Sequence, residues 1–326
     1  MELRDIRYFT VVAEHLHIGR AAEALSLSAT ALSKSLRRLE RSVGAKLVQR
    51  AGKGIGLTVV GKALLARLGP LQGMLNDVSR EATDLAQGLA GQVHVGTTVG
   101  AAENLIADAC ILLSKEALRI ELQVCVLEPD HLASALQKGE IDFYVGRGQT
   151  TPLAGLVHEL LYEDQDVVFA SANHRLARQK QVSLEDLAQE RWALTTSVSR
   201  PLLRYLTVAF HNRGLAAPKV GLDTNSQTVR LPAIAATDLV AFSSREFMRR
   251  EAQRYGLVEL PVKELSHFRS LSLVYRKDAY LSPATLRLIE LLKTQAAEIS
   301  TGKGREKLSV RRKKSATKVL SRAKVR

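Results

Sequence analysis

RAAEALSLSATALSKSLRRLER, residues 20–41, sets two short helical patterns almost end to end across a small polar break, Ser26-Leu27-Ser28. The first pattern covers about Ile18–Leu25, with Ala22 and Leu25 facing inward. Ser28 is suited to cap the second, because its hydroxyl can accept from a free first-turn amide. In that second helix Leu32, Leu36, Leu39 and Val43 recur at steps of four, three and four, which makes one buried stripe. The opposite face carries Thr30, Ser33, Lys34, Arg37 and Arg41, and Gly44 stops the helix. A preceding helix is predicted over Leu3–His15, with Ile6, Phe9, Val12 and Ala13 on one face.

Helices this short cannot each bury a core alone. Packed with the first, they expose a polar and basic third helix, which is the helix-turn-helix arrangement whose second helix enters the major groove of double-stranded DNA. Downstream, KLVQRAGKGIGLT (46–58) places two apolar pieces around a Gly- and Lys-rich loop and reads as a hairpin wing. Arg50 and Lys53 would meet phosphate there, adding affinity rather than specificity. A dinucleotide-loop reading of 52–56 has no strand–turn–helix context and is set aside. Ser28, Ala29, Thr30, Ser33, Lys34, Arg37 and Arg38 are the groove and backbone candidates. Arg38 reads equally well as a solvated surface charge.

Charge follows the same division. Residues 1–68 hold 12 Lys/Arg and 5 Asp/Glu, residues 69–300 hold 24 and 27, and residues 301–326 hold 11 and 1. A mildly acidic middle between two basic ends suggests a polyanionic partner. The last segment, with RRKK, cannot bury a core and is expected to be a disordered basic tail, adding non-specific DNA affinity or serving only as a solubilising extension.

Thr58 can cap a long helix. From there Leu64, Leu68, Leu71, Leu75, Val78, Ala82, Leu85 and Leu89 keep a heptad seam. The seam most economically pairs with its own copy as a dimer contact; the alternative is an amphipathic helix packed on its own chain. Pro70 is expected to kink or interrupt it near Gly69. Gly88–Gly91 reads as a linker. Beyond it strands alternate with helices: strands at 92–98, 119–128, 143–145, 167–172, 192–195, 219–222, 239–242 and 271–277, and helices at 102–114, 131–138, 184–188, 202–212, 228–236 and 283–297. The spacing predicts βαβ units and a parallel sheet.

No run of eighteen apolar residues is present, so no membrane partner is expected, and MELRDIRYF lacks a signal-peptide pattern; both point to the cytoplasm. Cys110 and Cys125 read as buried, reduced thiols. GxSxG, HExxH, Walker and CxxC motifs are absent, so no catalytic or metal residues are assigned and the chain is not expected to be an enzyme. A solute-binding protein would need a signal peptide and no basic head. A nucleoid-type architectural protein would not need two α/β lobes.

LRDIRYFTVVAE, RAAEALSLSATALSKSLRRLERSVGAKLVQR and GLTVVGKALL resemble the winged helix-turn-helix of the LysR-type transcriptional regulators. EDQDVVFASANHRLA, VSLEDLAQERWAL and LSLVYRKDAYLSPATLRLIELL resemble that family's co-inducer domain, and the likeness covers about 300 residues. It implies an α/β chain with an all-α-rich winged helix-turn-helix domain (1–58, motif about 17–36). A linker and dimerisation helix (59–90) would follow, then two Rossmann-like, periplasmic-binding-protein-like lobes (91–300; lobe I 92–162 and 267–300, lobe II 163–266), with the tail outside. It further implies a homotetrameric dimer of dimers, a transcription regulator with RNA polymerase as a further partner. No cofactor is implied beyond a small-molecule effector in the cleft. That cleft would be lined by Thr97, Thr98, Val99 and Gly100, by Arg147, by Thr196 and Arg200, and by Asn225 and Ser226. Free amides at helix starts favour an anion there, a carboxylate or sugar acid. Arg147 and Arg200 would supply charge, unless each sits in an ordinary ion pair. Departures are Ala29-Thr30 where the family often has Gln-Pro, Lys34 for the more usual arginine, Ala-Ala-Thr-Asp-Leu at 235–239, and His174-Arg175 for His-Pro. They leave the target sequence open.

Overall fold

The computed structural model describes residues 1–300 apart from 53, 88–91, 99–100, 102–104, 117–119, 148–154 and 195–199. The chain divides into two compact units.

The N-terminal unit opens with α1 (Leu3–His15), α2 (Ile18–Ala24) and α3 (Ala29–Val43). Ser28 caps α3, its Oγ accepting from the Ala31 amide at 3.1 Å, and Gly44 ends the helix at φ +77°. A left-handed residue at that position costs glycine little. Leu32 packs with Val12, Ala21 and Ala22, while Leu36 and Leu39 pack with Ile6, Phe9 and Leu47. Phe9, Leu32, Leu39 and Leu47 are each at most 1% exposed. Burying a side chain of this kind stabilises by about 1.5–3 kcal/mol, which holds so small a unit together. The wing is the antiparallel pair β1 (Val48–Ala51) and β2 (Gly54–Leu57), tied to α1 where the Ile55 amide donates to the Leu16 carbonyl at 3.0 Å.

Thr58 caps α4 (Val59–Gln87) by accepting from the Gly61 amide at 3.0 Å. A Cβ at Gly61 would lie 2.1 Å from the Leu47 carbonyl oxygen, so the sharp wing-to-helix corner requires glycine. The helix runs through Pro70 without the expected interruption. Pro70 and Ala66, whose carbonyl loses its partner, are both exposed, so water satisfies what proline removes. The expected seam also divides. Leu68 is 4% exposed and, with Leu64, belongs to the helix-turn-helix core, which corrects their assignment to a dimer contact. Leu71, Leu75, Val78 and Leu85 are exposed.

In the second unit the described strands form one nine-stranded sheet. β3 (Gln92–Thr97), β4 (Glu121–Val126) and β5 (Phe143–Arg147) are parallel, as are β7 (Arg191–Leu194), β8 (Lys219–Asp223) and β9 (Leu239–Ser244). Between these two sets run the long strands β6 (Leu156–Ser171) and β11 (His267–Arg276), antiparallel to each other and to their neighbours β9 and β5; β10 (Leu257–Glu259) also pairs with β6. The wholly parallel sheet expected from spacing is therefore mixed: two parallel lobes joined through an antiparallel pair.

Lobe I packs α5 (Ala107–Glu116) and α11 (Pro283–Ser300) on Val93, Val95, Phe143 and Leu273, and carries α6 (Pro129–Gln137). Lobe II packs α8 (Arg200–His211) on Trp192, Phe242 and Val168, with α7 (Leu184–Ala188) at its edge. Its other face holds α9 (Gln227–Ala236) and α10 (Arg245–Tyr255) on Phe169 and Ala241. Val124 and Cys125 are adjacent on β4, so they point to opposite faces of the sheet. Val124 pairs with Val95, whose face packs α5 and Cys110. Cys110 and Cys125 thus lie on opposite faces, consistent with two free thiols, each half-buried rather than fully buried.

Candidate DNA and effector sites

On α3, Thr30, Lys34 and Arg37 are exposed and Ser33 is half-buried beside them; Ser28 and Ala29 are exposed at its start. Arg50 is exposed on the wing strand β1, and Lys53 lies outside the described residues. Thr30, Ser33, Lys34 and Arg37 thus lie away from the buried stripe Leu32, Leu36 and Leu39 of α3, as expected of a groove-reading helix.

Arg38 does not join them. Its guanidinium grips the buried Asp5 carboxylate of α1 with two donors, Nε to Oδ2 at 2.6 Å and Nη2 to Oδ1, and Ser35 Oγ donates to the same Oδ1. Asp5 is 1% exposed. The bond from Arg38, helped by that from Ser35, holds the Asp5 carboxyl below the usual range against the cost of burial. Arg38 is thereby corrected from a duplex contact to an internal tie. A second buried carboxylate, Glu40, accepts from the Leu47 amide at 3.0 Å and from Lys46 Nζ at 2.8 Å. Burial pushes the Glu40 carboxyl up, but these donors outweigh it and the net shift is downward.

Of the expected effector residues, Thr97, Thr98, Arg147, Asn225 and Ser226 fall at the C-terminal ends of parallel strands, where open α/β sheets bind ligands. Thr98 follows β3 and Arg147 ends β5. Asn225, exposed, and Ser226, half-buried, follow β8 and open α9. β3 and β5 bring Thr98 against Gly146, since a Cβ there would lie 3.4 Å from Thr98 Cγ2. Ser226 Oγ and Thr228 Oγ1 are 2.8 Å apart. Val99, Gly100 and Thr196 lie outside the described residues, and of Arg200 only the backbone is described. Two side chains depart from expectation. Thr97 is fully buried, its hydroxyl donating to the Val145 carbonyl at 3.0 Å, so it belongs to the core rather than to a cleft wall. Arg147 is committed to the buried Asp166, Nη2 to Oδ2 at 3.0 Å, which is the ion-pair reading rather than a free cation.

That pair opens onto a network the sequence reading missed. On the crossing strands His267 stands directly opposite Asp166, and Arg269 opposite Asp164. His267 Nδ1 donates to Asp166 Oδ2 at 2.7 Å, and Arg269 Nη2 to Asp164 Oδ2 at 3.1 Å. Ser244 on β9 donates to Asp164 as well. Burial pushes the Asp166 carboxyl up, yet His267, Arg269 and Arg147 carry it below the usual range. Nearby, Arg250 of α10 reaches Asp108 of α5 at 2.6 Å, so an ion pair also links lobe II to lobe I. The missed signal was the period-two placement of charge, Asp164/Asp166 and His267/Arg269, which marks one face of each strand.

Comparison with known proteins agrees with this geometry. A model of the bacterial regulatory helix-turn-helix protein, lysR family, matches residues 3–62, and one of the LysR substrate binding domain matches residues 86–297. The uncharacterized HTH-type transcriptional regulator YnfL of Escherichia coli (strain K12) is 32% identical over 191 residues, which are 58% of this chain and 64% of that protein, just under two thirds of its length. The HTH-type transcriptional regulator GbpR of Azospirillum brasilense is 25% identical over 90% of this chain and 86% of its own. Among solved structures, ArgP from Mycobacterium tuberculosis superposes with a TM-score of 0.62 at 17% identity, covering 91% of this chain and 97% of its own. CbnR, a LysR family transcriptional regulator, gives 0.60 at 17% identity, covering 91% and 99%. A helix-turn-helix with an exposed polar and basic third helix, followed by two α/β lobes and matched by both models, makes this chain a member of the LysR family of effector-responsive, DNA-binding transcriptional regulators, which are not enzymes.

Proposed function

We propose that this regulator reads its operator through Ser28, Ala29, Thr30, Ser33, Lys34 and Arg37 in the major groove, with Arg50 and Lys53 on phosphate. The observation that carries the reading is the two-sided α3: leucines buried on one side, hydroxyls and cations exposed on the other. The domain limits are 1–58, 59–90, 91–300 and the basic tail 301–326. The setting is cytoplasmic, with RNA polymerase as the further partner. DNase footprinting of duplexes selected by the protein from a random library tests it: two protected half-sites about one helical turn apart are expected. Uniform protection without a preferred sequence overturns it.

The effector is a small anion, a carboxylate or sugar acid, held at the strand ends by Thr98, Val99, Gly100, Thr196, Arg200, Asn225 and Ser226. Support comes from the start of α9, where Ser226 makes no side-chain capping bond to the helix amides. Anion binding changes the balance between two lobe arrangements and thereby the spacing of the DNA-binding heads.

The assembly is a dimer of dimers whose first contact is α4, through the exposed Leu71, Leu75, Val78 and Leu85. Glutamate at both Leu75 and Val78 places charge in that contact. Sedimentation should then report half the wild-type mass, and an unchanged mass would remove α4 from the interface. The tail binds phosphate only. Deleting residues 301–326 should flatten the salt dependence of binding by about 0.9 in log–log slope for each phosphate it had neutralised, with site preference intact. Altered site preference would show that the tail reads bases.

A further inference from the structure

We infer that Asp5 and Arg38 are positioning residues for sequence readout: a buried ion pair between α1 and α3 sets the orientation in which the third helix meets the groove. The tie has unusual economy of parts. Asp5 receives two donors from one guanidinium and a third from Ser35, all from α3, while its own backbone belongs to α1. Ser35 and Arg38 are three positions apart and so share one side of α3. A planar fork meeting a planar carboxylate restricts rotation as well as distance, which a single hydrogen bond or an apolar contact does not. Glu2 lies 3.6 Å from the same guanidinium and adds to its retention. The readers Ser33, half-buried, and Lys34 and Arg37, exposed, interleave with Ser35 and Arg38 along the same two turns, so a rotation of α3 about its axis moves all three readers at once.

This inference rests on the DNA-binding reading, and one experiment separates the two. The full chain selects a duplex from a random library. Affinity for that duplex and for a random-sequence duplex is then measured at several salt concentrations for the wild type, Asp5→Asn, Arg38→Lys, Arg38→Met and the Asp5→Asn/Arg38→Met double variant. Failure of the wild type to select any duplex defeats the DNA-binding reading itself.

With selection, positioning predicts that each single variant lowers affinity for the selected duplex roughly tenfold, comparable to removing one bidentate pair at a base edge. Random-duplex affinity and salt slope stay unchanged, and the double variant is no worse than either single. Arg38→Lys is the decisive arm because it keeps the charge and conserves the fold while losing the fork. Its expected weakening on the selected duplex alone supports the tie, since a lost phosphate contact would weaken both duplexes alike. Three results overturn it: Arg38→Lys binding like the wild type, Arg38→Met reducing affinity for both duplexes with a slope lowered by about 0.9, or Asp5→Asn tightening binding by freeing Arg38 for the duplex.

Discussion

Alanine at both Ser33 and Lys34 lowers affinity for the selected operator by about 2–4 kcal/mol, or roughly thirtyfold to a thousandfold. The magnitude follows from two side chains at base edges, each worth about 1–3 kcal/mol when well placed. Neither residue supports the fold. Ser33 is half-buried and Lys34 exposed, and both lie in a helix interior where alanine is the better helix former. The melting temperature therefore stays within about 2 °C of the wild type, since surface substitutions of this kind stay within about 0.5 kcal/mol. On a random-sequence duplex the double variant loses only what Lys34 gives to phosphate. Electrophoretic mobility shifts on the two duplexes at one salt concentration give both numbers. A double variant that occupies the selected operator like the wild type removes α3 from sequence readout, and with it the basis for assigning the neighbouring candidates.

That prediction uses the part of the molecule most legible in the sequence. The stripe Leu32, Leu36, Leu39 with the Ser28 and Gly44 caps is a local pattern, and every member is set by neighbours within about fifteen residues. Arg38 was not legible in the same way. It lies three positions past Ser35 on the boundary between the buried and solvated faces, and only the packing of α1 decides which side it takes. A hint was present in Asp5, an acidic residue one position before Ile6 and four before Phe9, on the side of α1 that is buried. In the second unit the strand positions were largely readable, but their directions were not. Residues 166–171 of β6 are all buried, and 167–170 show the continuous apolar run of a parallel strand although β6 runs antiparallel to β9 and β11. Helix α10, REFMRREAQRY, escaped because only Phe247 and Met248 are buried and no apolar period emerges. Its ends were marked all the same, by Ser244 at the N-cap and Gly256 at φ +62° after the last turn.

Asp166→Ala destabilises the two-lobed unit by about 3 kcal/mol, at the low end of the 3–5 kcal/mol that breaking a buried ion pair costs. The low end applies because the orphaned partners are not equally stranded. Arg269 keeps Asp164 at 3.1 Å, and the Arg147 side chain, 34% exposed, can turn toward water. His267, which donated to Asp166 at 2.7 Å, loses its acceptor. The chain has one tryptophan, Trp192, fully buried in lobe II, so its fluorescence follows unfolding without an added label. The urea midpoint should fall by roughly 1–2 M. The pH dependence gives a second check. The Asp166 carboxyl titrates below its ordinary 3.8 in the folded chain. Its contribution is therefore complete above that value and is lost only as pH falls through the lower folded one. The gap between wild type and Asp166→Ala should thus be constant from about pH 5 to pH 8 and close only in strong acid. A gap already closing at about pH 6 would mean that a group other than this carboxylate carries the stabilisation. A gap under about 1 kcal/mol throughout would mean that the crossing strands are held by their backbone ladder and flanking cores, with the Asp166 pairs contributing no more than exposed ion pairs do.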